Sequence, residues 1–291
     1  MLYTKQRASV GTIIKGAVMT NLEYVPGDNL VKEFIPVDCV EHPTWMSTWS
    51  DSSYALDNVF DEEELVWLED LMHREHRSRR VKRNGTLHFN VDNQRIQDKF
   101  FGKLKEAIPE LTNDTLWEGN FLITATPYNL HIDTGNPNTL KDSNSIPGKQ
   151  FIIPLWVCHT NKEEEHPMAG TAIFKNRFLM YGTNFAKGSP QYETNVFYTI
   201  SDYKGMPCYY RDGTVWDVDW NKRTIDDETY LKYFSHFKRE WLDGFELEAV
   251  YNWKRGGIIV FDRCQAHSGT NFQKNNVTMK CGLSMMTTIK K

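Results

Sequence analysis

The chain has 291 residues, enough for one large domain or two ordinary ones, and its 40% hydrophobic and 25% charged residues are typical of a soluble globular protein. A net charge of −4 disfavours, without excluding, a protein that binds duplex nucleic acid mainly through its phosphates. Five scattered cysteines without a CxxC pair indicate neither a disulfide framework nor a zinc knuckle, and no segment is apolar for long enough to span a membrane.

The first half of the chain predicts a lead-in segment followed by two helices. Residues 1–56 contain three prolines and little periodicity, so we expect an irregular lead-in packed on the main body. An acidic first turn, apolar residues at helical spacing and a basic end predict a helix over residues 61–76. An apolar residue at every fourth position predicts a second helix over 93–108. Between them, Asn84-Gly85 predicts a turn joining two short strands.

The second half of the chain predicts mainly strands. A polar loop over residues 134–150 and an insert over about 186–250 separate them, and an aromatic stripe over 230–241, closed by Gly244, predicts one further helix. Helices early and strands late indicate an α+β fold, mainly an antiparallel β core with helices on one face, in a domain over 57–291. The predicted strands cover residues 119–127, 151–157, 171–174, 246–253, 258–262 and 278–287.

Three side chains form a candidate metal site. Residues two apart on a strand point to the same face, so His131 and Asp133 can offer one nitrogen and one oxygen to a single metal ion. His267, at the end of an apolar strand, can supply a second imidazole. Two histidines and one carboxylate on one face leave other positions open, as in non-haem Fe(II) oxygenases. A His-x-Asp triplet arises by chance roughly 0.6 times in such a chain, so a surface histidine before a turn-starting aspartate is the alternative interpretation.

A second group of residues follows on the last predicted strand. Strand alternation places Lys280, Gly282 and Ser284 on one face. A cation and a hydroxyl with a glycine between them can bind a carboxylate.

Four segments in order, at residues 126–133, 149–155, 170–177 and 253–272, resemble the Fe(II)/2-oxoglutarate-dependent oxygenases. The chain is most similar to small oxygenases of phages and aquatic microbes near the phytanoyl-hydroxylase-like and prolyl-hydroxylase-like groups, and the resemblance covers about 57–287. It implies a double-stranded β-helix (a jelly roll, cupin-like) with flanking helices. It also implies a hydroxylase that converts 2-oxoglutarate and O2 to succinate and CO2 while oxidising a substrate that the sequence does not identify.

The resemblance further implies roles for individual residues. His131, Asp133 and His267 would bind Fe(II), and the carboxylate favours hydroxylation because related halogenases lack it. The remote carboxylate of 2-oxoglutarate would pair with Lys280, where many members have Arg. An ammonium lacks the bidentate fork of a guanidinium, so Ser284 is expected to assist.

Two further residues have open roles in 2-oxoglutarate binding. Lys149 is the alternative cation, because in some relatives the basic group follows soon after the His-x-Asp motif. Tyr128 either donates a hydrogen bond to 2-oxoglutarate or packs beside it.

Other interpretations of the chain stay open from sequence. One is a non-catalytic jelly-roll binding or structural module with a vestigial metal site, and another is a cupin-like metalloenzyme that does not use 2-oxoglutarate. Arg263 either faces substrate or forms a salt bridge with Asp262 or the early acidic turn. The basic stretch Arg74–Arg83 is either a phosphate-binding patch or the solvated end of a helix. Without a signal peptide we expect a cytoplasmic location, in the host cell if the protein is viral.

Overall fold

The computed structural model describes residues 52–75, 80–81, 86–112, 115–133, 145–160, 168–178, 183–185, 208–209, 215–216 and 218–290. Within these residues the protein is mostly β-sheet, with two seven-stranded antiparallel sheets and a few helices. This agrees with the predicted β-rich core. Residues 1–51 of the predicted 1–56 lead-in lie outside the described residues. The same holds for residues 186–207, 210–214 and 217 of the predicted insert over about 186–250.

The first sheet contains the longest strands. Its spatial order is β1 (Tyr54–Leu56), β12 (Ile258–Asp262), β6 (Ser145–His159), β14 (Val277–Lys290), β4 (Thr115–Thr124), β3 (Leu87–Asn90) and β2 (Arg80–Val81). The first strand precedes the predicted domain boundary at residue 57 and nevertheless pairs with β12. The short strands β2 and β3 pair antiparallel on either side of the predicted Asn84-Gly85 turn, which itself lies outside the described residues.

The second sheet carries the shorter strands. Its order is β10 (Val215–Trp216), β9 (Cys208–Tyr209), β7 (Gly170–Arg177), β13 (Gln265–Gly269), β5 (His131–Ile132) and β8 (Thr183–Asn184), with β11 (Leu247–Asn252) paired to β7. Strands β5 and β13 are neighbours in this sheet, and they carry the two candidate histidine ligands.

Two helices cover one face of the first sheet, as the sequence predicts. Helix α1 (Glu62–Arg74) begins with a capping box between Asp61 and Glu64, and helix α2 (Asn93–Ala107) begins at Asp92, whose side chain accepts from the backbone. Their apolar faces share one buried cluster with β4, β6, β12 and β14. No helix in the described part of the chain is long and apolar enough to cross a membrane.

The aromatic stripe over residues 230–241 does not form the single helix that its spacing predicts. A short helix α3 (Asp227–Thr229) runs into a π-helical turn over Tyr230–Phe234, and a separate 3-10 turn covers Arg239–Trp241. Phe234 packs against Phe174 of β7, so burial against the sheet outweighs the continuous helical pattern. Gly244 does adopt the positive φ expected after a helical segment.

Strand β6 begins earlier than predicted. Residues 145–150 belong to this strand, although the polar sequence predicts a loop up to residue 150. The reason is tertiary, because β6 pairs with β14 along its length and with β12 over residues 149–152. Two neighbouring strands satisfy backbone groups that a polar sequence would otherwise leave to water.

The two sheets pack face to face around a small apolar cluster. Ile152, Ile259 and Phe261 of the first sheet contact Ile173 of the second, together with Trp253. The chain passes from β12 in one sheet to β13 in the other through only two residues, 263 and 264. The inner faces of β6 and β14 therefore lie opposite the strand that carries His267.

The turn before β12 gives the first testable prediction. Gly256 has φ +76°, and an added Cβ would lie 2.6 Å from the carbonyl oxygen of Phe60. We expect Gly256→Ala to lower the free energy of unfolding by about 2 kcal/mol or more, since both the backbone and the neighbouring carbonyl oppose the methyl group. Gly102→Ala, in α2 with nothing within 4 Å, is the control and is expected to raise it by about 1 kcal/mol. Urea unfolding measures the free energy of unfolding of both variants. Equal changes in the two variants would contradict the requirement for glycine at position 256.

Candidate metal centre

The candidate ligands lie on two neighbouring strands and just beyond one of them. His131 in β5 and His267 in β13 are direct cross-strand partners, and their ring centroids are 4.1 Å apart. Asp133 follows β5, two residues after His131, so its side chain returns to the same face. The pairing of one short strand with its neighbour therefore brings two histidines that are 136 positions apart in sequence into one cluster.

The three side chains are close enough to share one ion. Asp133 Oδ2 lies 3.6 Å from His131 Nε2 and 3.4 Å from His267 Nε2. The three potential ligand atoms all lie within 4.8 Å of one another. His131 and His267 are buried, at 9% and 3% exposure, which is unlike the surface histidine of the alternative interpretation.

Backbone contacts fix which nitrogen of each ring faces the cluster. His131 Nδ1 lies 2.7 Å from the carbonyl oxygen of Asn129, and His267 Nδ1 lies 3.0 Å from that of Gln265. Because a carbonyl oxygen only accepts, each Nδ1 carries the proton and donates. In the neutral rings the Nε2 atoms then keep their lone pairs, which is the tautomer that a metal ion requires.

The electrostatics favour the same protonation states. Burial by itself would raise the pKa of Asp133, but its favourable electrostatic interaction with His131 and His267 holds that pKa well below its usual value. Burial, helped by the nearby charge of His131, lowers the pKa of His267. At neutral pH the cluster therefore presents an ionised carboxylate and a neutral imidazole at His267.

These residues fit a divalent first-row metal ion. Two imidazole nitrogens and one carboxylate oxygen on one side form the ligand set of mononuclear non-haem Fe(II) sites, and they leave the other coordination positions open. Each ligand also has the supporting contacts expected of metal ligands, namely the two carbonyls behind the histidines and the donors around Asp133 described next.

Gln150 is a site residue that the sequence analysis missed. Its Nε2 donates to Asp133 Oδ2 at 2.9 Å and to Ser284 Oγ at 3.2 Å. Gln150 is 1% exposed and lies on the inner face of β6, next to apolar Phe151 and Ile152. The available signal was a polar residue directly before the apolar run, two positions from Ile152 and therefore on the same strand face.

Arg263 contacts the main chain of Asp133, one of the three candidate metal ligands. Its Nε donates to the carbonyl oxygen of Asp133 at 2.6 Å, and its guanidinium forms an ion pair with Glu118 of β4. Arg263 does form a salt bridge, but its partner Glu118 is neither Asp262 nor the early acidic turn that the sequence suggests. The carboxylate of Asp262 binds Lys149 and Arg177 instead. The side chain of Arg263 is 1% exposed.

The Lys280 face of β14 points between the sheets. Cys281, Leu283 and Met285 join the cluster under the helices, so Lys280 and Ser284 lie on the opposite, inner face. That alternation agrees with the sequence analysis.

The ammonium of Lys280 is buried, and it contacts a main-chain carbonyl and an aromatic ring. Its Nζ donates to the carbonyl oxygen of Gly170 at 3.2 Å and lies 3.8 Å from the centroid of the Trp253 ring. Among the described residues no carboxylate lies within 4 Å of it, and burial lowers the pKa of Lys280 to about 7. Gly282 beside it leaves room for Trp253, since an added Cβ would lie 3.0 Å from that ring.

Lys149 has a different environment. Its Nζ lies 2.7 Å from Asp262 Oδ1 and 3.5 Å from Glu110 Oε1, and its side chain is 2% exposed. The other oxygen of Asp262 binds Arg177 at 2.8 Å, so two buried cations share one buried carboxylate. The charge of Lys149 is already balanced within the fold.

Tyr128 lies beside the candidate centre. Its ring centroid is 5.1 Å from that of His131, and its hydroxyl lies 3.1 Å from His88 Nε2. The contact with 2-oxoglutarate predicted for Tyr128 stays a prediction. Of the basic stretch Arg74–Arg83, only residues 74, 75, 80 and 81 are described, so the interpretation of that stretch also stays open.

The buried ion cluster around Asp262 leads to a stability prediction. We expect Asp262→Asn to lower the free energy of unfolding by about 3–5 kcal/mol, because Lys149 and Arg177 then lose their shared buried countercharge. Asp57→Asn, which breaks the exposed pair between Asp57 and Lys254, is the control and is expected to cost less than about 1 kcal/mol. Chemical denaturation measures both variants. An Asp262→Asn protein as stable as the control would show that the cluster does not hold Lys149.

Comparison with known proteins gives similar structures only. No protein-family model and no curated protein matches the chain. Similar solved structures include EvdO2 from Micromonospora carbonacea var. aurantiaca, with 11% identity, TM-score 0.42, and 89% of this chain and 93% of that chain covered. The carbocyclase SnoK from nogalamycin biosynthesis, described as non-heme and alpha ketoglutarate dependent, has 8% identity and TM-score 0.45, with 87% and 83% covered.

A further similar structure is the viral collagen prolyl hydroxylase vCPH from Paramecium Bursaria Chlorella virus-1, in its 2OG complex, with 9% identity, TM-score 0.38, and 83% and 98% covered. Another similar structure is described as an oxidoreductase of the 2OG-Fe(II) oxygenase family from Burkholderia pseudomallei, with 10% identity, TM-score 0.41, and 84% and 88% covered. With TM-scores below 0.5, this similarity by itself assigns neither an activity nor a substrate.

Proposed function

We propose that this protein is an Fe(II)- and 2-oxoglutarate-dependent dioxygenase that hydroxylates a substrate, built on a double-stranded β-helix core. The observation that carries the proposal is the convergence of His131, Asp133 and His267, whose ligand atoms lie within 4.8 Å of one another. Two facing antiparallel sheets, joined by a chain that crosses from one to the other, support the proposed core.

The roles of the metal ligands follow from their protonation states. His131 and His267 would each coordinate Fe(II) through Nε2, while backbone carbonyls hold the protons on Nδ1. Asp133 would coordinate as a carboxylate. When bound, Fe(II) supplies the activation of O2 that oxidises a substrate C–H bond as 2-oxoglutarate becomes succinate and CO2.

Lys280 is the proposed partner of the remote carboxylate of 2-oxoglutarate. A buried cation is costly unless an anion balances it, and the described residues bring no carboxylate to Lys280. The rings of Trp253 and Phe272 lie 3.8 and 5.3 Å from its Nζ and exclude water from the ammonium. Lys149, the alternative cation, already shares the carboxylate of Asp262.

Two polar residues connect the proposed cosubstrate pocket with the metal site. Ser284 lies on the same strand face as Lys280, and its hydroxyl accepts a hydrogen bond from Gln150. Gln150 donates at the same time to Asp133. Ser284 is therefore held in place to donate its own proton to a bound carboxylate, as the sequence analysis proposes for it.

The ligand set is tested by removing one imidazole. His267→Ala is expected to abolish the visible charge-transfer band that forms when Fe(II) and 2-oxoglutarate are added anaerobically, and to stop succinate formation when O2 is admitted. His73→Ala, at the exposed end of α1, is the matched control and should keep both signals. A wild-type protein that binds Fe(II) without the band or succinate would instead be a metalloenzyme that does not use 2-oxoglutarate. One that binds no Fe(II) would be the non-catalytic module.

The carboxylate anchor is tested with two ligands. Lys280→Met should weaken 2-oxoglutarate binding at least tenfold, since an ion pair out of water is lost, and should leave the affinity for pyruvate unchanged, because pyruvate is a 2-oxo acid without the remote carboxylate. Isothermal titration with the Fe(II)-loaded protein measures both. If Lys149→Met weakens 2-oxoglutarate binding and Lys280→Met does not, Lys149 is the anchor.

The proposed anchor also predicts a pH dependence. Burial lowers the pKa of Lys280 to about 7, so without a bound anion most of this side chain is neutral at pH 8. A bound carboxylate favours the ammonium, so binding at pH 8 should take up close to one proton, and affinity should fall as pH rises above 7. Titrations in buffers of different ionisation enthalpy measure the uptake. Lys280→Met should show none from this residue, and an unchanged uptake would remove Lys280 from the pocket.

A further inference from the structure

Arg263 sits where the chain crosses from the first sheet to the second, and its guanidinium holds three separate segments together. It donates to the carbonyl oxygen of Asp133 at 2.6 Å and to Thr288 Oγ1 at 2.8 Å, and it forms the ion pair with Glu118. Thr288 and Glu118 belong to β14 and β4, two paired strands of the first sheet. The arginine therefore connects the main chain just after β5, in the second sheet, to two paired strands of the first sheet.

Asp133 needs such a tie because its own strand is short. Strand β5 has two residues, and Asp133 lies just outside it. Its carboxylate must nevertheless reach both Nε2 atoms, which lie 3.4 and 3.6 Å from Oδ2. A main-chain shift of about 1 Å at this point would carry the carboxylate out of coordination distance of an ion shared with the histidines.

The side chain and the main chain of Asp133 accept hydrogen bonds from two different residues. Gln150 donates to the carboxylate, and Arg263 donates to the main-chain carbonyl. We propose that Arg263 is a positioning residue of the metal centre, which sets the affinity for the metal by fixing the main chain of Asp133. This inference rests on the proposed function, because it presupposes that the three residues bind a metal ion.

An arginine suits this position better than a lysine. The planar guanidinium directs donors to Asp133, Thr288 and Glu118 at the same time from one buried group. An ammonium keeps the positive charge beside Glu118 but is a single compact donor on a flexible stem. Arg263→Lys thus keeps the positive charge but removes the simultaneous hydrogen bonds that position Asp133.

The test measures binding of Mn(II), which takes nitrogen and oxygen ligands and needs no oxidative turnover. Electron paramagnetic resonance gives the free Mn(II), and thermal unfolding of the metal-free protein reports the fold. Arg263→Lys is expected to weaken Mn(II) binding at least tenfold, as for other residues that support a metal ligand. The matched control is Arg255→Lys, because that arginine also joins two carboxylates, Glu62 and Glu69, to a main-chain carbonyl, on the α1 side of the first sheet.

Each outcome decides one question. A tenfold or larger loss of Mn(II) affinity in Arg263→Lys, with wild-type affinity in Arg255→Lys, supports the positioning role. A smaller loss, or an equal loss in both variants, overturns it and leaves Arg263 a purely structural residue. Glu118→Gln provides a second variant that keeps the bond from Arg263 to Asp133, and Mn(II) affinity lost to the same degree there also overturns the role. A wild-type protein that binds no Mn(II) or Fe(II) refutes the proposed function itself.

Discussion

The pairing of His131 with His267 across β5 and β13 is the constraint on which the site depends. The two residues face each other in register, so both side chains leave the sheet on the same side. A slip of one residue would turn one histidine to the opposite face and leave a single imidazole beside Asp133. Strand β13 also pairs with the eight-residue strand β7. This second pairing fixes the position of β13, which the two-residue β5 could not fix alone.

The corner between β12 and β13 carries an unusual share of the buried polar groups. Asp262 binds two cations, and its backbone N–H donates to the side-chain oxygen of Gln265. Between them, Arg263 donates to the carbonyl oxygen of Asp133. The carbonyl of Gln265 also fixes the ring of His267. Buried polar groups are stabilising only when every partner is present, so this corner specifies one geometry. The turn that changes sheets and the orientation of a proposed metal ligand are the same structural feature.

Two buried lysines on neighbouring strands of the first sheet have different electrostatic environments. Lys149 lies against Asp262, and its charge is balanced before any ligand binds. Lys280 donates to a main-chain carbonyl oxygen and lies over an aromatic ring, and burial lowers its pKa to about 7. A cation whose partner is missing from the described residues points to an anion that arrives from outside. The resemblance to the oxygenases offered both lysines for the same role.

The sequence by itself determined the helices, the main strands and the three candidate ligands. Local signals suffice for these, such as the acidic first turn of α1, the apolar run of β12, whose predicted bounds match the structure, and the two-residue spacing of His131 and Asp133. It could not determine the true start of β6 or the broken helical stripe, because strand pairing and burial against the sheet decide both.

Tertiary structure alone decided which polar residues meet. Gln150 reaches Asp133 from 17 positions away and Arg263 from 130, and no local pattern encodes a contact between residues so far apart. The physical reason is that a strand's period of two says which face a side chain occupies, whereas the register between strands and the crossing between sheets say what lies opposite it.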